Sequence, residues 1–231
     1  MKEAKPTPVI IDAFVSSFII HVHSLLAWGV DAAQTKIRAE SHEEHITGYI
    51  AEAIKNRLIL QRPKWTKYYD VHNEDPIPSD THPGKERNPI DLLIVQVTGE
   101  GRPEFVFEAK QLNSTKKHQR VGDYTGPEAM QRFLSGEYAD YTARFPAVGM
   151  LGYVLSDSVA KWHDWLTADI EKKMSVLSLR RPQQGVNIVA AFPQEWISEH
   201  DRSSASRPIT IYHILILCVA DDTPMRDTYH P

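Results

Sequence analysis

The sequence contains one cysteine, Cys218, among 231 residues. A single thiol excludes an internal disulfide and a cysteine-based zinc site, and it fits a reducing, cytoplasmic compartment. Excess positive charge is lacking as well: 26 Lys and Arg stand against 30 Asp and Glu, a formal net charge of −4. Any phosphate binding therefore has to come from a local basic patch, not from the charge of the whole chain. There is no glycine-rich phosphate loop, nucleophile elbow, internal repeat or low-complexity tract. His42-Glu43-Glu44-His45 has histidines three apart, where a zinc-protease helix needs them four apart, and no third ligand is evident. An apolar content of 42% and a charged content of 24% exclude the disordered and fibrous classes. The length suits one α/β domain over 1–231.

One long apolar run is present, Val9–Val30. Asp12, His21 and His23 fall inside it, which is unfavourable in lipid, and Phe18, Leu25 and Trp28 recur at near-helical spacing. A buried or amphipathic helix is predicted here, with no membrane span or signal peptide; its apolar side could also serve a homodimer interface. A second helix is predicted from about Ala33 to Leu60, with Ile46, Ile50, Ala53 and Ile54 as its apolar stripe. At about 100° per residue Glu43 falls on that stripe, while Glu44 lies off to its side. These helices form an N-terminal segment, 1–62, ahead of an α/β core, 63–231.

Two stretches carry the chemistry. Asn88-Pro89-Ile90-Asp91-Leu92-Leu93-Ile94-Val95 and Pro103-Glu104-Phe105-Val106-Phe107-Glu108-Ala109-Lys110 read as buried strands joined by a polar Gly/Pro turn. Asp91, Glu108 and Lys110 interrupt them, and charges are costly in core strands without a partner. Strand alternation points Glu108 and Lys110 the same way, and hairpin pairing sets Asp91 beside Glu108. Two adjacent carboxylates raise each other's pKa unless a cation lies between them; Mg²⁺ or Mn²⁺, which prefer oxygen ligands, suit the place. A neighbouring lysine can orient a water and stabilise charge on a phosphate oxygen.

This Asp…Glu-X-Lys pattern, Pro89-Ile90-Asp91 with Glu108-Ala109-Lys110, resembles the PD-(D/E)XK nuclease superfamily, the restriction-endonuclease-like fold. The proline stands two residues before the aspartate instead of directly before it, and carries no chemistry. The resemblance implies a mixed central sheet flanked by helices, and Asp91, Glu108 and the Ala109 carbonyl as ligands of Mg²⁺ or Mn²⁺. It implies Lys110 beside the attacking water, and a helical glutamate added to the site, Glu43 ahead of Glu44 and Glu40. DNA is the expected substrate, with RNA or a non-catalytic nucleic-acid-binding subunit as alternatives, and a partner protein for targeting is possible. The stretch Tyr124–Val154 is also similar to bacterial defence or restriction nucleases.

Directly after Lys110, Lys116, Lys117 and Arg120 form the best basic cluster, suited to a phosphate backbone, and Gln111 can turn toward the site. Lys85 and Arg87 lie in a loop, 76–88, that could meet substrate, and Glu74 or Asp75 could extend the acidic site. The remaining predicted elements are a first strand, Trp65–His72; a helix from Glu128 to about Thr142, bent or broken at Gly136; a buried strand, Ala147–Leu155; and a helix capped by Asp157 or Ser158. Two last strands are predicted at Gly185–Phe192 and Ile209–Val219, with a polar loop at Ser198–Pro208. His213, inside an apolar strand, reads as a core histidine.

Overall fold

The structure is a computed structural model that describes residues 8–76, 89–98, 102–142, 145–202 and 207–218. Its helices are α1 (Pro8–Ala33), α2 (Glu43–Ile59), α3 (Lys117–Tyr124), α4 (Met130–Ser135), α5 (Ala139–Thr142) and α6 (Val159–Lys172). Its strands are β1 (Tyr69–Pro76), β2 (Pro89–Gln96), β3 (Glu104–Leu112), β4 (Ala147–Val154), β5 (Gln184–Gly185), β6 (Trp196–His200) and β7 (Ile209–Leu217).

All seven strands form one mixed sheet in the order β1-β2-β3-β4-β7-β6-β5. The β1-β2-β3 meander is antiparallel, β3-β4-β7 are parallel, and β6 and β5 return antiparallel. Strand alternation sends side chains to two separate cores. On one face, Leu92, Ile94, Phe105, Phe107, Leu151 and Ile214 pack under α1 and α2. On the other, Leu93, Val106, Met150 and Ile211 pack under α3, α4 and α6 through Tyr124, Phe133, Trp162 and Leu166. β4 is buried along its whole length, as expected of a parallel strand covered on both faces.

Val15–Ala33 is long and apolar enough to cross a membrane. Its apolar residues Phe18, Val22, Leu25 and Leu26 are those buried on the sheet and α2. At the α1–α2 crossing Gly29 permits close approach, since a Cβ there would lie 2.7 Å from Ile54 Cγ1.

Several predicted boundaries are corrected. The second helix begins at Glu43, not Ala33, because α1 runs through Ala33 and the chain then turns, with Lys36 N–H donating to the Ala33 carbonyl. Trp65–Tyr68 is not strand: Lys64–Tyr68 is a 3₁₀ turn closed by Thr66 onto the Pro63 carbonyl. The Trp65 ring stacks on His21 and Trp28, so its aromatic surface is used on α1. Gly136, at φ 94°, breaks the helix predicted over Glu128–Thr142 into α4 and α5. Gly185–Phe192 is strand only at Gly185, and the predicted loop at Ser198 is instead β6.

The buried residues of β6 include Ser198 and His200, whose polarity hides the strand pattern. A directional chain of hydrogen bonds satisfies them. His200 Nδ1 must donate to the Leu177 carbonyl (2.6 Å), which leaves its Nε2 to accept from Ser198 (2.7 Å). Ser198 then accepts from His213 Nε2 (2.7 Å), and His213 Nδ1 accepts from Tyr124 (3.0 Å). Both histidines are held neutral: His213 is the core histidine expected, and burial lowers the pKa of His200 to about 4. Below its unfolded value of 6.5 the unfolded chain takes a proton that folded His200 refuses. Its contribution to stability is therefore full above that pH and falls as pH drops toward about 4, by on the order of 3 kcal/mol. Thermal denaturation should show this as a pH slope present in the wild type and reduced in His200→Gln; equal slopes would contradict it.

Candidate active site

The β2–β3 register pairs Leu92 with Phe107, and its continuation sets Asp91 opposite Glu108. Asp91 Oδ2 accepts the Ala109 N–H at 2.7 Å, which fixes the carboxylate against β3. Glu108 and Lys110 share that face by alternation. At the C-terminal end of β3 the first turn of α2 arrives. Glu43 Oε1 lies 3.1 Å from Lys110 Nζ, and its Oε2 accepts the Gln111 N–H at 2.8 Å. The phase of α2 is set one turn later, where Ile46 is buried and Thr47 meets the Tyr153 hydroxyl at 2.8 Å. Glu40 and Glu44 are exposed, away from this arrangement.

Glu108 is fully buried. Its Oε1 accepts from Arg132 Nη1 at 2.9 Å and from the Tyr138 hydroxyl. Its Oε2 is buried without a hydrogen-bond partner. Arg132 is braced on its other side by Glu137, through Nη2 at 2.8 Å and Nε at 3.0 Å.

Burial is the main cause of the altered acidity throughout. It raises Glu108 to about 8, helped by the Asp91 charge and opposed by Arg132, the Tyr138 hydrogen bond and Lys110. Asp91 is raised by burial against the pull of Lys110, the Ala109 N–H and Arg132, and a proton on Glu108 can bridge to it. Glu43 is raised by burial, with Lys110 opposing. Burial disfavours the Lys110 charge, but Glu43, Asp91 and Glu108 outweigh it, so Lys110 stays a cation.

Among the described residues no three Asp, Glu, His or Cys side chains form a ready-made metal cage. A set of two carboxylates and a backbone carbonyl suits a different ion, Mg²⁺ or Mn²⁺, which keeps several waters. The unpartnered Glu108 Oε2 and the raised pKa values of Asp91 and Glu108 fit that set. A cation there would relieve the repulsion that a shared proton otherwise relieves.

The predicted nucleic-acid contacts are dispersed. Arg120, paired with Asp123 at 3.3 Å, lines a cleft of about 320 Å³ together with Glu43 and Lys110. Lys117 opens α3 with its ammonium 4.4 Å over the Trp165 ring, and Lys116 is exposed. Gln111 does not reach into the cleft: its side-chain amide donates to the Ser41 carbonyl, so it joins β3 to the start of α2. Glu74 is exposed on β1, and Lys85 and Arg87 lie outside the described residues. Arg132, Glu137 and Tyr138 are the site residues that sequence reasoning missed. The only signal was an arginine beside the apolar face of a predicted helix, and the break at Gly136 disguised its spacing from Glu137 and Tyr138. Comparison with protein-family models, curated proteins and solved structures finds no match.

In Glu108→Gln the amide nitrogen can donate toward Asp91 in place of the bridging proton. Glu108 is raised in the fold from 4.5 to about 8, so in the metal-free protein stability is lost as pH rises through that window. Glu108→Gln should therefore melt higher than wild type near pH 8 without metal, by about 2–4 °C per kcal/mol relieved. It should show no further rise with Mn²⁺. A variant that melts lower, or that gains as much from Mn²⁺ as wild type, would contradict this account of the site.

Proposed function

We propose that this chain is a metal-dependent nuclease of the PD-(D/E)XK, restriction-endonuclease-like class that hydrolyses phosphodiester bonds, with DNA as substrate. The observation that carries the reading is the convergence of Asp91 from β2, Glu108 and Lys110 from one face of β3, and Glu43 from α2 within 3.1 Å of Lys110. The chain order supports it: a helix, an antiparallel three-stranded meander, a helix and a strand parallel to β3, in a mixed sheet flanked by helices.

In this reading Asp91, Glu108 and the Ala109 carbonyl would hold Mg²⁺ or Mn²⁺, which would supply Lewis acidity toward a water and the phosphate. Lys110, kept protonated by its acidic neighbours, donates hydrogen bonds to the attacking water and to a phosphate oxygen. Glu43 orients Lys110 and anchors it to the end of β3. Arg120 faces the same cleft and Lys116 and Lys117 follow on its flank, where they can meet the phosphate backbone through local charge despite the negative chain. A role in defence or restriction, with a partner protein or a second copy for targeting, extends this reading through the resemblance of the Tyr124–Val154 stretch.

One observation favours a second reading, a non-catalytic nucleic-acid-binding subunit that keeps the fold: Arg132 and Tyr138 already engage Glu108. Cleavage of plasmid, linear duplex, single-stranded DNA and RNA in Mg²⁺, Mn²⁺ or EDTA separates the two. The expected outcome is metal-dependent cutting of DNA that Lys110→Ala reduces by about 10²–10⁴-fold with the fold retained. Cutting by purified Lys110→Ala at the wild-type rate would sink the assignment, and cutting of RNA alone would move the substrate class.

A further inference from the structure

Glu108 is one of two carboxylates at the centre of the site, yet its two oxygens have different surroundings. Oε1 is saturated by the Arg132 guanidinium at 2.9 Å and the Tyr138 hydroxyl, while Oε2 is buried and has no partner. The asymmetry is built, not incidental. Arg132 is itself buried and cannot swing away, because Glu137 grips Nη2 and Nε from the opposite side at 2.8 and 3.0 Å. Its guanidinium also lies 5.0 Å from the centre of the Tyr138 ring. Tyr138 is buried against Phe133, at 5.1 Å between rings. The left-handed turn at Gly136, φ 94°, lets Arg132 on α4 and Tyr138 just beyond it reach the Glu108 carboxylate while Glu137 turns back onto Arg132.

We propose that Arg132, braced by Glu137 and joined by Tyr138, is a positioning group that fixes the Glu108 carboxylate so that Oε2 alone is presented to a divalent cation beside Asp91. The proposal rests on reading the site as a cation-dependent nuclease. Neither Arg132 nor Tyr138 touches substrate in this scheme; each acts through Glu108. Partners behind a metal-ligating carboxylate orient it and set its affinity for the ion, and losing one typically weakens metal binding by about 10–100-fold.

The test uses the full chain, Mn²⁺ alone as the probe, and binding as the first readout, by calorimetry and by the electron paramagnetic resonance of the free ion. Arg132→Met, Arg132→Lys and Tyr138→Phe are compared with wild type, together with melting without metal and cleavage across Mn²⁺ concentration. Mn²⁺ binding should weaken by about 10–100-fold in Arg132→Met and less in Arg132→Lys. Tyr138→Phe should need more Mn²⁺ for half-maximal cleavage but approach the wild-type rate at saturation. If Arg132→Met fails to fold, Arg132→Lys and Tyr138→Phe still decide the matter.

Wild-type Mn²⁺ affinity in all three variants would overturn the proposal. Tighter binding in Arg132→Met would overturn it in the other direction, making Arg132 a competitor of the cation. Wild-type protein that binds no Mn²⁺ would remove the metal reading and this proposal with it. Wild-type protein that binds Mn²⁺ but cuts nothing would remove only the nuclease reading, leaving the positioning role to be judged on binding.

Discussion

Two carboxylates forced side by side in a desolvated sheet are the constraint on which the rest of the site depends. The antiparallel register of β2 and β3 leaves Asp91 and Glu108 no choice of distance, and the helices over that face exclude water from Glu108. Like charges about 4 Å apart repel by about 4 kcal/mol at the effective dielectric of a protein surface, and more in its interior. Such a pair survives in a fold only if its neighbours answer it. The Ala109 N–H answers for Asp91, Arg132 and Tyr138 answer for one oxygen of Glu108, and Lys110 acts on both.

The position of the pair follows from the sheet. β3 is antiparallel to β2 but parallel to β4. A parallel partner needs a crossover, so the chain must leave the end of β3 and travel over the face before β4 begins. α3, α4 and α5 are that crossover, and they carry Arg120, Arg132 and Tyr138 to the face where Asp91, Glu108 and Lys110 stand. From the opposite layer α2 reaches the same strand end with its first residue, Glu43. A cleft between α2, β3 and α3 results from the connection itself.

What was legible in the sequence was whatever broke a local pattern. Asp91, Glu108 and Lys110 stood out because charges interrupted apolar strands, and Glu43 because helical phase put a carboxylate on a core-facing stripe. The same logic failed where polarity was buried in pairs. Ser198 and His200 made β6 look like a loop, though each is satisfied within the chain from Tyr124 to Leu177. Trp65 looked like a strand residue because its aromatic contact, on α1, is far away in the chain. Arg132 was invisible for a third reason. Its partners lie beyond a helix break and on another element, so no local period contains them.

Charge accounting separates the site from an ordinary buried salt-bridge network. Lys110 has Glu43 as its nearest counter-ion, and Arg132 is gripped through two of its nitrogens by Glu137. Each cation is thus shared among several carboxylates. Arg132 is shared between Glu137 and Glu108, so Asp91 and Glu108 are only partly compensated, and burial raises the pKa of both, helped at Glu108 by the Asp91 charge. A purely structural network would be expected to close with its last carboxylate neutralised, because an uncompensated buried charge costs several kcal/mol. With Glu43, Asp91, Glu108 and Glu137 all ionised, four carboxylates would face the two cations Lys110 and Arg132, and the proton that burial favours on Glu108 removes one of those charges. A proton shared between Glu108 and Asp91 offsets part of the surplus in the metal-free protein, and the cation of the proposed function would offset all of it.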